Sequence, residues 1–394
     1  MIKIIDKKMC CGCTACKNIC PNKAIQMKED NEGFLYPNVE VEKCSNCKLC
    51  EKVCPILNKN NFSDFKQEAY IFQNLDLDVR KDSTSGGFYT SIGEYVINRE
   101  GIVYGASFSD DFKVIHSKAE KIEELKKFRK SKYVQSDLKD IFKEIKNYLN
   151  SDKLICFSGT PCQVAGLKSF LQKDYENLIL VDIMCHSVPS PLFFEKYKKY
   201  ILKKLKANRI NEINFRDKSK YGYKYSVMTV NTDNGVYSEG MDTDPYLRAF
   251  FQDLSVRPSC YNCQFKTQKR ISDFTIWDCK NISEIDKEFD DDIGTTRLLI
   301  HTEKGKKILN TLNNVKVEKI NVDLAVKKVR EMTNSVKNNE KREEFWKKID
   351  DENLINEFFP TNLKTKLNSL CRKTLVKLGL YSKIVIILKK IIKR

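Results

Sequence analysis

The order of hydrophobic and polar positions divides this chain into three predicted parts. Two short apolar runs, Ala24–Met27 and Phe34–Pro37, predict the strands of a small N-terminal domain, residues 1–57. After a polar connector, strand-like and helix-like stretches alternate, which predicts a larger mixed α/β domain over residues 67–345. Apolar and basic residues at helical spacing then predict a charged helical extension, residues 346–394. The expected fold class is α/β, or α+β for the chain as a whole.

One stretch of the larger domain predicts a complete βαβ unit. Leu154–Ser158 is strand-like, a Gly-Thr-Pro-Cys turn follows, residues 163–171 are helix-like, and Leu178–Met184 is the next strand. The two strands of a right-handed βαβ unit are parallel. Cys162 and Cys185 should therefore emerge at the same carboxyl edge of the sheet, where open α/β sheets bind ligands.

A second stretch, Asp82–Phe88, places small residues directly before a helical pattern that runs to Ile97. Free backbone N–H groups at such a helix start suit a phosphate. An ordinary helix cap with a Gly-Gly turn explains the same residues equally well. Neither a G-x-G-x-x-G nor a Walker loop is present, so a standard Rossmann dinucleotide site is unsupported.

Composition narrows the class of protein. Hydrophobic residues form 41% of the 394 positions, which excludes a mostly disordered chain. Met1–Met9 is interrupted by charged residues and does not resemble a signal peptide, so we expect a cytoplasmic protein. Ten basic residues and no acid lie in residues 363–394, which leaves only +7 of the +17 net charge for the rest of the chain. The body is thus only mildly basic, and a nucleic-acid partner is not expected.

Cysteines carry the strongest chemical signal. Nine of the sixteen lie in the first 54 residues, and disulfides are rare in the cytosol. They form the run C-x2-C-x2-C-x3-C-P twice, which is the spacing that bacterial ferredoxins use to bind 4Fe-4S clusters. The first run is Cys10, Cys13, Cys16 and Cys20; the second is Cys44, Cys47, Cys50 and Cys54.

In this motif the fourth cysteine of each run ligates the other cluster. We therefore predict one 4Fe-4S cluster on Cys10, Cys13, Cys16 and Cys54, and a second on Cys44, Cys47, Cys50 and Cys20. Cys11 is left as a spare thiol. A pair of zinc knuckles is the alternative, although zinc sites usually come as separated CxxC units.

A third metal site is predicted in the large domain. The pair Cys260-x2-Cys263, together with Cys162 and Cys185, supplies four thiolates for a further 4Fe-4S cluster. Structural thiols or a thioredoxin-like redox pair are the alternatives. Cys156 falls within a predicted strand and is expected to be a buried apolar residue. The sequence leaves open whether Cys279 is a ligand.

Several of these segments together resemble the coenzyme F-420 hydrogenase/dehydrogenase beta subunit family, here fused to a two-cluster ferredoxin domain. The resemblance covers about residues 1 to 310, and the order of its motifs makes it specific. It rests on Ser83-Thr84-Ser85-Gly86-Gly87, Ser131-Lys132-Tyr133-Val134-Gln135-Ser136, Gly159-Thr160-Pro161-Cys162-Gln163-Val164-Ala165-Gly166-Leu167, Cys185-His186-Ser187-Val188-Pro189-Ser190, Cys260-x2-Cys263 with Arg270-x2-Asp273, and Asp292-x-Gly294-Thr295.

This resemblance implies a flavoprotein. Members of the family bind FAD beside a 4Fe-4S cluster and pass electrons between an iron–sulfur chain and a hydride-accepting substrate, a deazaflavin in archaeal members. Carried onto this chain, it implies that the four cysteines of the third site bind the cluster beside FAD. It also implies flavin contacts at Ser85, Gly86, Gly87, Lys132, Tyr133, Gly159 and Thr160.

Two departures from the family pattern concern the substrate. Trp277 stands where the family usually has a glycine and is followed after one residue by Cys279, while Ser187 replaces the glycine of a Cys-His-Gly motif. The substrate side of the pocket is therefore expected to differ from that of deazaflavin-using members.

The leading hypothesis is an iron–sulfur flavoprotein oxidoreductase, a ferredoxin-type or flavin-dependent reductase or dehydrogenase. Electrons would pass through the 4Fe-4S clusters to FAD and on to an unidentified small-molecule acceptor. The alternative is an electron-transfer subunit that delivers electrons to a partner protein and has no small substrate of its own. A third class, a redox sensor, would use Cys11 or Cys279 as its reactive thiol.

The C-terminal extension combines apolar stripes with lysines. Leu363, Leu367, Leu370 and Leu378 form one stripe that Gly379 should end, and Tyr381, Ile384, Leu388 and Ile391 form a second. A basic amphipathic helix can bind an anionic membrane surface, so peripheral contact with the inner face of the membrane is one hypothesis. Packing on the body or on a partner subunit is the other.

Overall fold

The structure, a computed structural model, describes residues 1–58, 61–223, 225–378 and 380–381. Lys59 and Asn60 of the polar connector lie outside the described residues. So do the predicted helix stop at Gly379 and most of the second apolar stripe, Ile384, Leu388 and Ile391.

The N-terminal segment forms a small unit around one antiparallel ribbon. Its elements are α1 (Ala15–Ile19), β1 (Ile25–Glu29), β2 (Leu35–Val39) and α2 (Leu49–Lys52). The two strands pair with Ile25 opposite Val39. Both predicted strands are confirmed, each displaced by one or two residues. A two-stranded ribbon of this length is not stable by itself. The unit buries few apolar side chains, such as Phe34 and Val53, so its stability must also come from the cysteine sites and from contacts with the rest of the chain.

After residue 67 strands and helices alternate, as predicted. The strands are β3 (Glu68–Asn74), β4 (Ile102–Phe108), β5 (Val114–Ala119), β6 (Ile155–Gly159), β7 (Leu178–Ile183), β8 (Ile210–Asn214), β9 (Val227–Thr232), β10 (Gly235–Gly240), β11 (Phe274–Asp278), β12 (Thr296–Ile300) and β13 (Val315–Ile320). The helices are α3 (Leu77–Asp82), α4 (Phe88–Ile97), α5 (Ile141–Asn150), α6 (Pro161–Leu171), α7 (Pro191–Leu205), α8 (Pro245–Phe251), α9 (Ile282–Ile285), α10 (Glu303–Leu309), α11 (Val322–Val326), α12 (Arg342–Lys347), α13 (Leu354–Phe358) and α14 (Leu363–Lys377).

The main sheet is mixed and has the order β13-β3-β12-β11-β7-β6-β4-β5. Its central strands β11, β7, β6 and β4 are parallel neighbours, whereas the strands added on both sides pair antiparallel. The predicted βαβ unit is confirmed as β6-α6-β7, with adjacent parallel strands. Cys162 and Cys185 therefore leave the sheet at its carboxyl edge.

Local sequence fixes the start of α6 at this edge. Pro161 occupies the first helical turn, where its missing N–H is not needed. The preceding Thr160 forms a capping box with Gln163, so the otherwise free backbone donors of the first turn are satisfied. The turn between β6 and α6 is thus held in one conformation, and this presents Cys162 in a defined position.

A second, antiparallel sheet of order β10-β9-β8 packs beside the main sheet with α7 and α8. Phe345 of α12 and Phe359 after α13 lie in its core, where Phe345 makes an edge contact with Phe193. The predicted extension from residue 346 thus begins inside a continuous packed segment. Helix α14 is the part of the extension that leaves this core. None of the helices in the described residues is both long and apolar enough to cross a bilayer.

Candidate functional site

The two cysteine runs fold onto the same local backbone. In each run the residues on both sides of the second cysteine have positive φ, and the third cysteine lies in the short helix that follows. These residues are Gly12 (72°) and Thr14 (63°) around Cys13, and Asn46 (55°) and Lys48 (61°) around Cys47. Two separate sequences that adopt the same rare conformation indicate a shared ligand geometry.

The first predicted quartet converges across the small domain. The Cys16 thiol is buried next to α2 and faces Cys10 and Cys54. Burial, together with these neighbouring thiols, raises the pKa of Cys16. Cys54, from the end of the second run, therefore lies near Cys10 and Cys16 of the first run, as the crossed arrangement predicts, and Cys50 of the second run lies near the same residues.

The second predicted quartet lines a separate pocket. Cys20, Cys44, Cys47 and Cys50 all border it. The backbone N–H of Ile2 donates to Cys50 Sγ, and that of Ala24 donates to Cys20 Sγ, each at 3.3 Å. Since Cys47 is exposed, this site lies at the molecular surface.

Within the described ranges, no group of three or more His, Cys, Asp or Glu side chains is arranged to hold a single metal ion. A cubane differs from a zinc ion because sulfide-bridged irons separate the four thiolates. The repeated C-x2-C-x2-C-x3-C-P spacing in the sequence is what favours the cluster over the zinc knuckle.

The third predicted quartet also converges, on one cavity at the carboxyl edge of the main sheet. Cys162 in the first turn of α6, Cys185 after β7, and the pair Cys260 and Cys263 all line it. A fifth cysteine, Cys11 of the small domain, lines the same cavity. Burial is the main reason that the pKa of Cys185 rises to about 12. Thiols with such pKa values stay protonated unless a bound metal displaces the proton from the sulfur.

Cationic side chains surround this cavity, among them Lys8, Arg257, Lys266 and Arg270. The Lys266 ammonium is also an anchor, because it donates to the backbone carbonyls of Cys185, His186 and Glu331. Positive charge around four thiolates offsets the net negative charge that a thiolate-bound iron–sulfur cluster carries. The residues present therefore fit a 4Fe-4S cluster.

The small domain and the third cavity are in direct contact. Cys11, two residues before Cys13 of the first quartet, lines the same cavity as Cys162 of the third, and these two neighbouring thiols affect the pKa of Cys11. A Cβ atom on Gly166, one helical turn after Cys162, would approach the Cys13 Cβ atom to 2.6 Å and Sγ to 2.9 Å. Helix α6 thus presents one face to both candidate cluster sites.

The glycine loop predicted to contact flavin packs tightly against β12. The N–H of Gly86 donates to Thr296 Oγ1 at 2.9 Å, and Ser85 Oγ lies 2.9 Å from the same oxygen. A Cβ atom on Gly86 would collide with the Phe72 carbonyl oxygen. Gly87 caps α4 with φ of 84°. Packing and backbone conformation thus account for both glycines, whether or not a phosphate binds at the helix start.

Lys132 and Tyr133 lie beside this loop, because Thr84 Oγ1 and Ser131 Oγ are 3.0 Å apart. The Lys132 ammonium donates to the backbone carbonyls of Arg129 and Lys130, and burial lowers its pKa to about 7. The Tyr133 ring stacks on Phe250 at 4.6 Å. A buried ammonium whose partners are neutral carbonyls would be stabilised by an anion such as a flavin diphosphate. This segment therefore fits FAD.

The other two predicted flavin contacts lie at the end of β6. Gly159 is buried there, and Thr160 Oγ1 lies 3.1 Å from the Sγ atom of Cys162, which lines the third cavity. His116 links the end of β6 indirectly to the segment around Lys132. Its ring faces Lys132, and its Nε2 atom lies 2.9 Å from the Ser158 carbonyl oxygen.

The remaining cysteines of the large domain lie apart from the cavity. Cys156 is fully buried in β6, as predicted. Cys279 is buried among Ile71, Ile282 and Phe289, and its Sγ accepts a hydrogen bond from Arg297. Cys279 is thus not among the residues that line the third cavity.

Sequence reasoning does not identify the roles of two residues of the site. Arg257 has no motif around it, and its role follows only from contacts with a distant part of the chain. Cys11 stands out in the sequence only as a spare thiol, because its position between two quartets depends on how the small domain packs on α6.

Comparisons with known proteins match two segments of the chain. Residues 9–57 match the family described as 4Fe-4S dicluster domain, and residues 152–325 match the C terminus of the coenzyme F420 hydrogenase/dehydrogenase beta subunit. A search of the curated proteins found no match. Among solved structures, a chain of the F420-reducing [NiFe] hydrogenase complex from Methanosarcina barkeri is similar at 15% identity, with a TM-score of 0.42. The similarity covers 76% of this chain and 90% of that chain. By these matches, residues 152–325 are similar to the C terminus of coenzyme F420 hydrogenase/dehydrogenase beta subunits, and residues 9–57 are similar to 4Fe-4S dicluster domains.

Proposed function

We propose that this iron–sulfur protein is a flavin-dependent oxidoreductase in which the small domain supplies electrons to a flavin in the large domain. Iron–sulfur clusters carry single electrons, and FAD converts single-electron steps into hydride transfer. The chain would supply the ligands of the redox centres, fix the distances between these centres, and provide the charges that set their reduction potentials.

The contact between the first quartet and the third cavity is the observation that carries this proposal. Cys11 and Cys162 line the same cavity, Cys11 is two residues from Cys13, and Gly166 permits the close approach of Cys13 to α6. The second quartet lies at the surface, where a donor or acceptor protein can reach it. These positions support an electron route from the surface site, through the first quartet, to the third cavity.

The segment around Lys132 supports FAD as the resident cofactor. Lys132 offers a cation for a phosphate, Tyr133 offers an aromatic face, and Thr160 lies beside Cys162. These residues would bind and orient the flavin next to the third cluster. The substrate would be a small hydride acceptor, and the departures at Trp277 and Ser187 favour one other than a deazaflavin.

The alternative is an electron-transfer subunit that passes electrons to a partner protein. Anaerobic purification, followed by measurement of iron, sulfide and flavin, tests the cofactors. We expect one FAD per chain and reduction of an artificial organic acceptor by the isolated chain. Bound flavin without any turnover of small acceptors would favour the subunit, and a chain without flavin would contradict the proposal.

The exposed face of α14 supports a peripheral membrane role. Arg372 and Lys373 pair with Asp242 and Glu239 of the body, and the leucine stripe points away from the body. Leu363, Leu367, Leu370 and Leu378 are 79%, 60%, 61% and 63% exposed. The apolar face is therefore not used for packing on the part of the chain that the structure describes. An anionic membrane surface suits both the leucines and the surrounding lysines, and a cytoplasmic location at the inner membrane face is the corresponding proposal.

A further inference from the structure

Arg257 is the largest side chain that is fully buried in the described residues. It lies directly before the turn that carries Cys260, and so belongs to the large domain. Its guanidinium, however, reaches the small domain. Nε donates to the Cys10 carbonyl oxygen at 2.8 Å, and one terminal nitrogen donates to the Leu35 carbonyl oxygen at 3.0 Å. The other terminal nitrogen donates to Gln135 Oε1 at 2.8 Å.

Aromatic rings complete the surroundings of this guanidinium. It lies 4.2 Å from the centre of the Tyr36 ring and 5.3 Å from that of Phe34. These partners are all neutral, and a buried positive charge is costly unless negative charge lies close to it. The negative charge within reach is on sulfur: Arg257 lies 3.6 Å from Cys10 Sγ, and its charge also faces Cys11 and Cys260.

We propose that Arg257 is a positioning residue for the first cluster, which orients Cys10 and raises the reduction potential of the cluster held by Cys10, Cys13, Cys16 and Cys54. This inference rests on the proposed cluster assignment and not on the identity of the final acceptor. Adding an electron makes the cluster more negative, and a fixed guanidinium beside one of its sulfurs stabilises that reduced state. The second quartet lies outside the set of groups that Arg257 contacts.

The chain provides a matched control for a purely structural role. Arg342 also joins the large domain to the small one, through a paired contact with Glu32, and it also contacts a ring, that of Tyr261. Within the described residues its contacts do not include a cysteine sulfur. Arg342→Gln therefore removes the interdomain ion pair with Glu32 and the hydrogen bonds to Tyr261 and the Val256 carbonyl oxygen, whereas Arg257→Gln removes an interdomain contact together with the charge beside Cys10.

The test is a redox titration of the full chain, followed by electron paramagnetic resonance, with iron measured on each sample. A Cys47→Ser variant identifies the signal of the second cluster, and a Cys260→Ala/Cys263→Ala variant identifies that of the third, whose cavity Arg257 also lines. For Arg257→Gln we expect the first cluster to titrate at lower potential while the second is unchanged. Selective loss of about four irons, with the second cluster retained, would equally support a positioning role. Arg257→Lys should give a smaller shift in the same direction, because an ammonium cannot keep all three contacts.

The proposal is overturned if Arg257→Gln leaves both potentials and the iron content unchanged, or if it affects both clusters equally. It is also overturned if Arg342→Gln causes the same shift. A chain that lacked the third cluster or the flavin would contradict the proposed function, yet would still report the potential of the first cluster. The two ideas can therefore fail separately.

Discussion

Gly166 of helix α6 lies against Cys13 of the small domain so closely that a Cβ atom on the glycine would come within 2.6 Å of the cysteine Cβ atom. Real Cβ contacts of that length do not occur, so the absence of a side chain at residue 166 sets how near the two domains lie. Because Cys162 is one turn earlier on the same helix, this glycine also sets how near the first quartet lies to the third cavity.

Gly166→Ala should therefore push the small domain away from α6. We expect a loss of stability of about 1–3 kcal/mol, typical of overpacking, and faster loss of iron from the first cluster. Anaerobic denaturation and iron release to a chelator measure the two effects. Lys168→Ala, on the same helix and partly exposed, is the control and should leave both unchanged. Unaltered iron retention in Gly166→Ala would mean that the domains do not dock through this contact.

The third cavity makes a prediction about iron content. If its four cysteines hold a cubane cluster, the chain should carry about twelve irons, and a Cys260→Ala/Cys263→Ala variant about eight. Cys279→Ala is the matched control, because Cys279 is buried in a different cluster of side chains. Equal iron in the double variant and the native chain would remove the third cluster from the proposed electron route.

Lys132 makes a prediction about pH. Its pKa is lowered to about 7 by burial, with Lys130 lowering it further and Asp82 opposing this. His116 is the other titratable group that faces it. A bound phosphate would stabilise the ammonium and raise the pKa again. Affinity for FAD should therefore be highest below pH 7 and fall above it, by up to about tenfold per pH unit.

Flavin titration of deflavinated protein between pH 6 and 9 measures this dependence. Lys132→Met should bind FAD more weakly at pH 6 and show a flat profile. Lys130→Met, which removes a neighbouring lysine paired with Asp82 and Glu212, should keep the native slope. A native slope in Lys132→Met would show that Lys132 does not meet the flavin phosphates.

Helix α14 makes a prediction about membranes. The full chain should sediment with anionic vesicles at low salt, and truncation after Pro360 should abolish binding. Leu367→Gln/Leu370→Gln should weaken binding while keeping every charge, because it removes apolar area that would enter the interface. Added salt should reduce binding because it screens the lysines. Equal binding of the full and truncated chains would contradict the membrane role.

Parts of this site were predictable because they are local. The cysteine spacing predicts two crossed quartets since the ligands lie in two short runs, and the βαβ rule predicts that Cys162 and Cys185 share an edge. The sequence does not show that Cys260 and Cys263 reach the same cavity, because nothing in their own segment indicates where it packs. Their place there could be inferred only because a cluster needs four thiolates.

Other parts were not predictable because they depend on contacts between distant residues. Arg257 acts on Cys10, 247 residues away in sequence, and no pattern around either residue predicts that contact. Likewise, Gly86 and Gly87 match a phosphate loop in sequence, yet their packing against Phe72 and Thr296 and the φ of Gly87 already require glycine. A glycine motif alone therefore could not separate binding from packing.

The cavity at the carboxyl edge draws its sulfurs from separate stretches of the chain, at Cys11, Cys162, Cys185 and the Cys260–Cys263 pair. The two N-terminal quartets need only residues 10–54. During synthesis the small domain is complete long before Cys263 has been made, since domains fold as units and N-terminal ones first. The ligands of the two proposed outer clusters are therefore available first, whereas those of the inner site come together only after the main sheet has closed. If all three sites hold clusters, we expect a chain that carries its outer iron but lacks the innermost cluster as an intermediate of assembly.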